Sequence, residues 1–218
     1  MGGRRLDPKR SFDLALSLAG LVLLVPLLAA IVVLIRLGSA GPALFRQVRV
    51  GRQGKNFTLL KFRSMSVRSG SEQGDFDAGD SSRVTCLGRL LRASKLDELP
   101  QLWNVVRGEM SLVGPRPEVR KWVDAYPERW AIVHTVRPGI TDPASIVYRH
   151  EERILAEALD PESVYRDTIL PHKLTLYEGY VRSRSFLGDL AILGRTALAL
   201  VRKSHLPDPP EPRDERRH

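Results

Sequence analysis

The chain has one cysteine, Cys86, in 218 residues. A single thiol excludes an intrachain disulfide and any cysteine-rich metal site. It reads as a small apolar residue on a helix. Histidine is also scarce: there are five, and His134, His150 and His172 stand apart, so the spacing of a zinc site is missing. Aromatic residues make up only 6%. Proteins that grip single-stranded nucleic acid interleave aromatics with bases, so this scarcity argues against that class. Acidic side chains are outnumbered, 25 against 34 lysines and arginines, which leaves a formal charge of +9. Such an excess points to a polyanion: nucleic acid, anionic lipid headgroups or a phosphorylated small molecule. No internal repeat is visible, and the length allows one domain or one domain with an appendage.

What is present begins with a run free of charge, Leu14 to Ile35. As a straight helix it would measure about 33 Å, enough for a hydrocarbon core of about 30 Å. No small-residue cleavage site follows it, unlike a signal peptide. Pro26, near its middle, removes a donor and clashes with the preceding turn, so a bend is expected there. The arms, Leu14–Val25 and Leu27–Ile35, each reach about half-way through a bilayer. Lys9 and Arg10 precede the run, and Arg36, Arg46 and Arg49 follow it, so both flanks look cytoplasmic. A span and a buried core helix remain open, but a re-entrant hairpin satisfies both observations.

Ala43–Val50 and Asn56–Phe62 read as strands joined by a glycine-containing loop. The stretch 68–82 is rich in Gly, Ser and Asp and reads as a mobile loop; Asp75, Asp77 and Asp80 lack the glycine and distal glutamate of a calcium loop. Thr85 can cap a helix that buries Leu87, Leu90 and Leu91 and turns Arg89 and Arg92 outward. Phe186 to Val201 gives a short apolar helix, for the core or the membrane interface. The Pro-rich, charged tail from Ser204 reads as disordered.

The centre of the chain is the adjacent pair Asp97 and Glu98, crowded by Arg89, Arg92, Lys95, Arg107 and Arg116. Acids in a basic setting suit chemistry on a phosphorylated substrate: the bases hold phosphates, and the acids act as metal ligand, nucleophile or base. A capped helix start with surface ion pairs would look the same. With Asp97 near the N-cap, Pro100 falls in the first turn, Leu99, Leu102, Trp103 and Val106 form one buried face, and Gly108 is the stop. Both carboxylates then lie at a helix N-terminus, which would help keep Asp97 ionised. Val113 to Pro117 presents Arg116 between two prolines, and Val136 to Thr141 forms a second rigid turn. A glycosidase would need its two acids on opposite sides of a bond, roughly 5–9.5 Å apart, and helix neighbours do not suit that.

Seven segments in order carry a resemblance over about residues 9–201: Lys9-Arg10-Ser11-Phe12-Asp13, Pro26 in its apolar run, Gly41 to Gln47, Lys61-Phe62-Arg63-Ser64-Met65, Leu96 to Asn104, Ser111 to Pro117, and Arg137 to Thr141. The chain resembles bacterial sugar transferases of the monotopic phosphoglycosyl transferase family. The resemblance implies an α+β, mostly helical fold. A membrane-embedded re-entrant helix bent at Pro26 would occupy residues 1–36. A catalytic domain with a small β-hairpin and interfacial helices would occupy 37–202, followed by a disordered tail over 203–218. It implies transfer of a sugar 1-phosphate from a nucleotide-diphosphate sugar, such as a UDP-sugar, to polyprenyl phosphate. The step would initiate an exopolysaccharide, O-antigen or capsule at the cytoplasmic face of the inner membrane. Carried over, Asp97 is the nucleophile that forms a covalent phospho-sugar. Glu98 helps bind Mg²⁺ beside Asp97 or activates the acceptor phosphate, and Arg116 binds phosphate. Lys61, Arg63 and Arg92 are further members of the basic pocket. Lys9, Arg10 and Pro26 belong to the membrane element. Partners are the lipid acceptor, the nucleotide sugar and membrane phospholipids, without nucleic acid, and a homodimer stays open. The alternative class is a non-catalytic, membrane-tethered protein binding anions or nucleic acid. Two departures stand out. Relatives often have serine before the hairpin proline, where this chain has Val25, and the stretch Asp142 to Ile146, expected to influence sugar choice, replaces a glycine and an aromatic residue.

Overall fold

The computed structural model describes residues 7–66, 83–149 and 151–201. The loop expected over 68–82 and the tail from Ser204 lie outside them. The described chain is mostly helical, with two small two-stranded sheets.

Asp7 caps α1 (Pro8–Leu23) by accepting from the Lys9 amide at 3.1 Å. The chain then turns by 62° into α2 (Val25–Gly38). The break falls at Leu24, two residues before the expected bend at Pro26. There Pro26 occupies the first turn of the new helix, where its missing N–H costs nothing and its ring meets no carbonyl of a preceding turn. No single described helix is long and apolar enough to cross a membrane. The two helices are apolar on their outer faces: Leu16, Leu18, Val22, Leu23, Val33 and Leu34 are exposed. The inner face of α1 is polar, with Asp13 and Ser17 buried. Ile31 and Ile35 of α2 pack with Ala43, Phe62 and Leu91, which docks the pair on the rest of the chain.

Strands β1 (Leu44–Val50) and β2 (Asn56–Phe62) form the expected antiparallel hairpin, with Leu44 opposite Phe62. Thr85 caps α3 (Cys86–Ser94) through its hydroxyl, 2.9 Å from the Gly88 amide. This helix buries Leu91 as expected, but Leu90 is 63% exposed, because the close approach of Gly88 to Ser64 sets the inner face one residue away. After the acidic turn and α4 (Gln101–Val106) comes β3 (Ser111–Val113). Then follow α5 (Arg120–Ala125), α6 (Pro127–Val133), β4 (Gly139–Thr141), α7 (Pro143–Val147), α8 (Glu151–Glu157) and α9 (Pro161–Val164). A π-helical turn over Tyr165–Ile169 leads into α10 (Leu170–Ser183), and α11 (Phe186–Val201) ends the described chain.

The two proline-rich turns expected as separate units are one structure. Strands β3 and β4 pair in parallel, Ser111 with Gly139 and Val113 with Thr141. A Cβ on Gly139 would lie 2.1 Å from the Gly114 nitrogen, so only glycine allows this backbone contact. The main core gathers Trp122, Trp130, Tyr165, Leu170, Leu174 and Tyr177 from α5, α6, the π-helical turn and α10. A second core, with Leu59, Val105, Met110, Leu112 and Tyr180, lies beneath the hairpin. On α11, Phe186, Leu187, Leu190 and Leu198 stay exposed while Asp189 is buried. This helix is apolar outward rather than sunk in the core.

Candidate active site

Lys95 ends α3 in the left-handed region, φ 58°. The chain then makes a 3₁₀ turn over Leu96–Glu98, closed by the Leu99 amide on the Leu96 carbonyl at 3.2 Å. Both acids lie in this turn, not at the N-terminus of a long helix. Helix α4 begins only at Gln101, runs six residues and stops at Gly108, φ 83°. The expected buried face is also corrected. Gln101, Asn104 and Val105 point inward, while Trp103 is 49% exposed. The reason lies in what α4 meets: the polar inner face of α1 and the backbone edge of β2, which call for amides rather than rings.

Glu98 is 8% exposed. Its Oε1 accepts from Arg116 Nη2 at 2.7 Å and Lys61 Nζ at 3.1 Å, and Arg116 Nη1 stands 3.5 Å from Oε2. Burial pushes this carboxyl up, but Arg116 and Lys61 together outweigh it and hold it well below the usual carboxylate range. Glu98 in turn raises the Arg116 pKa well above its ordinary value. Burial lowers that of Lys61, against the pull of Glu98. Asp97, 6% exposed, has the opposite setting. Burial raises its pKa, Lys61 opposes the shift and the charge on Glu98 adds to it. Its Oδ1 is buried without a hydrogen-bond partner. The expectation that a helix dipole keeps Asp97 ionised therefore fails: a six-residue helix starting four residues later offers it little field.

Two residues missed in the sequence build the frame. Asn104 is fully buried. Its Oδ1 accepts from the Leu60 amide at 3.1 Å, and its Nδ2 donates to the Thr58 carbonyl and to Glu109 Oε2, both at 2.7 Å. It thus acts as a strand neighbour for β2 and sets Lys61 against Glu98. Arg49 holds the other side. Its Nη1 donates to Glu118 Oε2 at 2.9 Å and to the Pro117 carbonyl at 3.3 Å, while Nε and Nη2 both reach Gln47 Oε1. Tyr165 donates to the other oxygen of Glu118 at 2.6 Å. The register gave a signal for Arg49: opposed residues share a face, which puts Gln47, Arg49 and Lys61 on one side of the hairpin. Asp142, fully buried, caps α7 through the Ser145 amide and adds to the negative field on Arg116.

Of the sequence candidates, Asp97, Glu98, Lys61 and Arg116 converge. Arg63 does not: it donates to the carbonyls of Ala40 (2.7 Å) and Ser39 (2.8 Å) and closes the C-terminal end of α2. Arg92 approaches Glu152 at 3.6 Å instead of the acid pair. Lys9 and Arg10, expected at the membrane flank, point into the protein. Arg10 donates to the Val105 and Val106 carbonyls at 2.8 and 3.2 Å. The reason is the same polar interior of α1, which makes charged contacts available inside.

No group of three His, Cys, Asp or Glu side chains among the described residues could hold a metal by itself. Glu98 is committed to its two cations. The free oxygen of Asp97 fits the mode in which Mg²⁺ takes one carboxylate and fills its remaining positions with phosphate oxygens and water.

The site is thus a buried acid pair set in a half-buried cationic frame, next to a bent helix pair that is apolar on its outer face. The sequence model of the family described as bacterial sugar transferase matches residues 4–203, and the chain belongs to that family. It is 45% identical over 197 residues to a UDP-glucose:undecaprenyl-phosphate glucose-1-phosphate transferase of Caulobacter vibrioides, covering 88% of this chain and 69% of that protein. It is 41% identical over 143 residues to a UDP-N-acetylgalactosamine-undecaprenyl-phosphate N-acetylgalactosaminephosphotransferase of Aeromonas hydrophila, covering 64% of this chain and 34% of that protein. It is 42% identical over 185 residues to the uncharacterized sugar transferase EpsL of Bacillus subtilis, covering 85% of this chain and 83% of that protein. The chain thus spans about a third of the Aeromonas relative and most of the other two.

Proposed function

We propose that the chain transfers a sugar 1-phosphate from a UDP-sugar to a polyprenyl phosphate such as undecaprenyl phosphate, by way of a phospho-sugar carried on Asp97. The observation that carries this reading is the unequal setting of the acid pair. Asp97 keeps a buried oxygen without a partner, while Glu98 is neutralised by Lys61 and Arg116. A carboxylate with an uncommitted oxygen is the group available for attack, and the cations beside it meet the charge of a diphosphate.

An oxygen of Asp97 attacks the phosphorus that bears the sugar. The new Asp–O–P bond forms as the P–O bond to the nucleotide breaks, and UMP leaves with that electron pair. A phosphate oxygen of the lipid then attacks the same phosphorus and releases the Asp97 carboxylate, giving the polyprenyl-diphospho-sugar. Arg116 and Lys61 hold phosphate oxygens through both steps, and Glu98 keeps the two cations together when no substrate is bound. Mg²⁺ on Asp97 would neutralise charge on the diphosphate and so ease the approach of one anion to another.

The bent pair α1–α2 enters and leaves the cytoplasmic leaflet on one face, and the outward side chains of α11 lie in the interface. That arrangement sets the acid pair at headgroup depth, where the lipid's phosphate is found. The step would begin a surface glycan. Asp97→Asn tests the reading: UMP release should fall by more than about 10³-fold. Enzyme and UDP-sugar without acceptor should show a phospho-sugar adduct by intact mass, absent in D97N. Turnover that survives in D97N removes Asp97 from the chemistry.

A further inference from the structure

The first turn of α1 is fastened to the strand that carries Arg116. Lys9 Nζ donates to the Val113 carbonyl at 3.0 Å and to the Tyr180 hydroxyl at 2.9 Å, and pairs with Asp189 Oδ2 at 2.5 Å. The Tyr180 proton goes to Asp189 Oδ1, 2.8 Å away. One turn along, Asp13 accepts from the Ser111 hydroxyl at 2.7 Å. Helix α1 therefore holds both ends of β3, and Arg116 follows three residues later. Asp13 and Asp189 are 4% and 5% exposed. Buried charge is costly unless its geometry is fixed, and an apolar contact would join these elements at least as firmly. What the ions add is a defined register between α1, α11 and β3. Both helices turn apolar faces outward, and Phe12 meets Phe186 edge to face at 5.4 Å beside the ion pair.

We propose that Lys9 and Asp189 are positioning residues for Arg116: their pairing across α1 and α11 fixes β3, so donor affinity depends on how the two outward-apolar helices sit together. This rests on the functional reading above, in which Arg116 binds the donor diphosphate. Lys9 is more than a topological charge, and α11 is part of the active-site frame.

The test uses the full chain in lipid nanodiscs with UDP as probe. Lys9→Met and Asp189→Asn should each weaken UDP binding about tenfold, because small displacements of a positioned group are costly, and melting temperature should show both variants folded. The deciding measurement is each change repeated in an Arg116→Ala background, where it should have little further effect on UDP. A full, additive loss in that background would make the pair a structural staple only and overturn the inference. D189N, which leaves Lys9 in place, decides the matter if K9M does not fold. Normal UDP binding by R116A would instead remove the functional reading, and this inference with it.

Discussion

Asp97 and Glu98 are consecutive residues of one 3₁₀ turn, both buried, yet their carboxyl groups are driven in opposite directions. Burial raises each. Only Glu98 reaches Arg116 and Lys61 directly, and the two cations reverse the shift there. At Asp97 the pull of Lys61 does not offset burial and the charge of its neighbour. The turn separates one acid that organises cations from one that keeps an oxygen uncommitted.

This division has a stability signature. Asp97 has a raised pKa in the folded state, so its contribution is greatest at low pH and is lost as pH rises through that folded value. D97N should therefore stabilise the protein at pH 7, by about 1 kcal/mol, with a smaller gain at pH 5. Glu98 has a lowered pKa, so its contribution is present above the ordinary carboxylate range and is lost as pH falls through the folded value. E98Q should destabilise at pH 7 by roughly 2 kcal/mol, since it leaves two half-buried cations poorly paired. Urea denaturation of both variants at the two pH values gives the comparison. Changes of the same sign would contradict the opposed setting.

Asn104 should prove as important to catalysis as to folding. N104A leaves the Leu60 amide and the Thr58 carbonyl without their partner, a cost of roughly 2–4 kcal/mol. Lys61 adjoins this strand edge, so the KM for the UDP-sugar should rise together with the loss of stability. A destabilised variant with an unchanged KM would separate Asn104 from the placement of Lys61.

On the proposed re-entrant reading, the bend before Pro26 sets membrane topology. With Pro26→Ala, residues 8–38 could run as one helix of about 46 Å, long enough to cross. Exposed Cys86 would first be replaced by serine and a single cysteine placed at position 3. In sealed vesicles the parent should react only from the cytoplasmic side, and P26A should gain reactivity from the other. Periplasmic labelling of the parent would overturn the re-entrant arrangement.

The sequence made the hairpin, the helix after Thr85, the final apolar helix and the residues of the acid site legible, because each rests on local chemistry: alternation, capping, or an acid beside bases. It did not reveal that Val113–Pro117 and Gly139–Thr141 are parallel partners, since nothing local in a proline-rich turn names a distant backbone. The face of α4 was misread for a related reason. Periodicity assumes that apolar means inward, but Trp103 and Leu90 look outward and Asn104 and Gln101 inward, the reverse of the rule for a helix bathed in water. The same inversion hid the inward contacts of Lys9 and Arg10. Arg63 and Arg92 share a sequence neighbourhood with the site, yet one was needed at the end of α2 and the other faces Glu152.

The contact between Lys9 and Tyr180 spans 171 positions of the chain. During synthesis, at about 5–20 residues per second, α1 leaves the ribosome many seconds before its partners exist. Its lysine must wait, hydrated, until Tyr180 and Asp189 arrive. Long-range closure of this kind is slow and comes late in folding. On the proposed membrane-embedded reading, nascent protein is anchored well before the acid site is assembled, and truncation before residue 189 would leave an anchored chain with β3 unlocked.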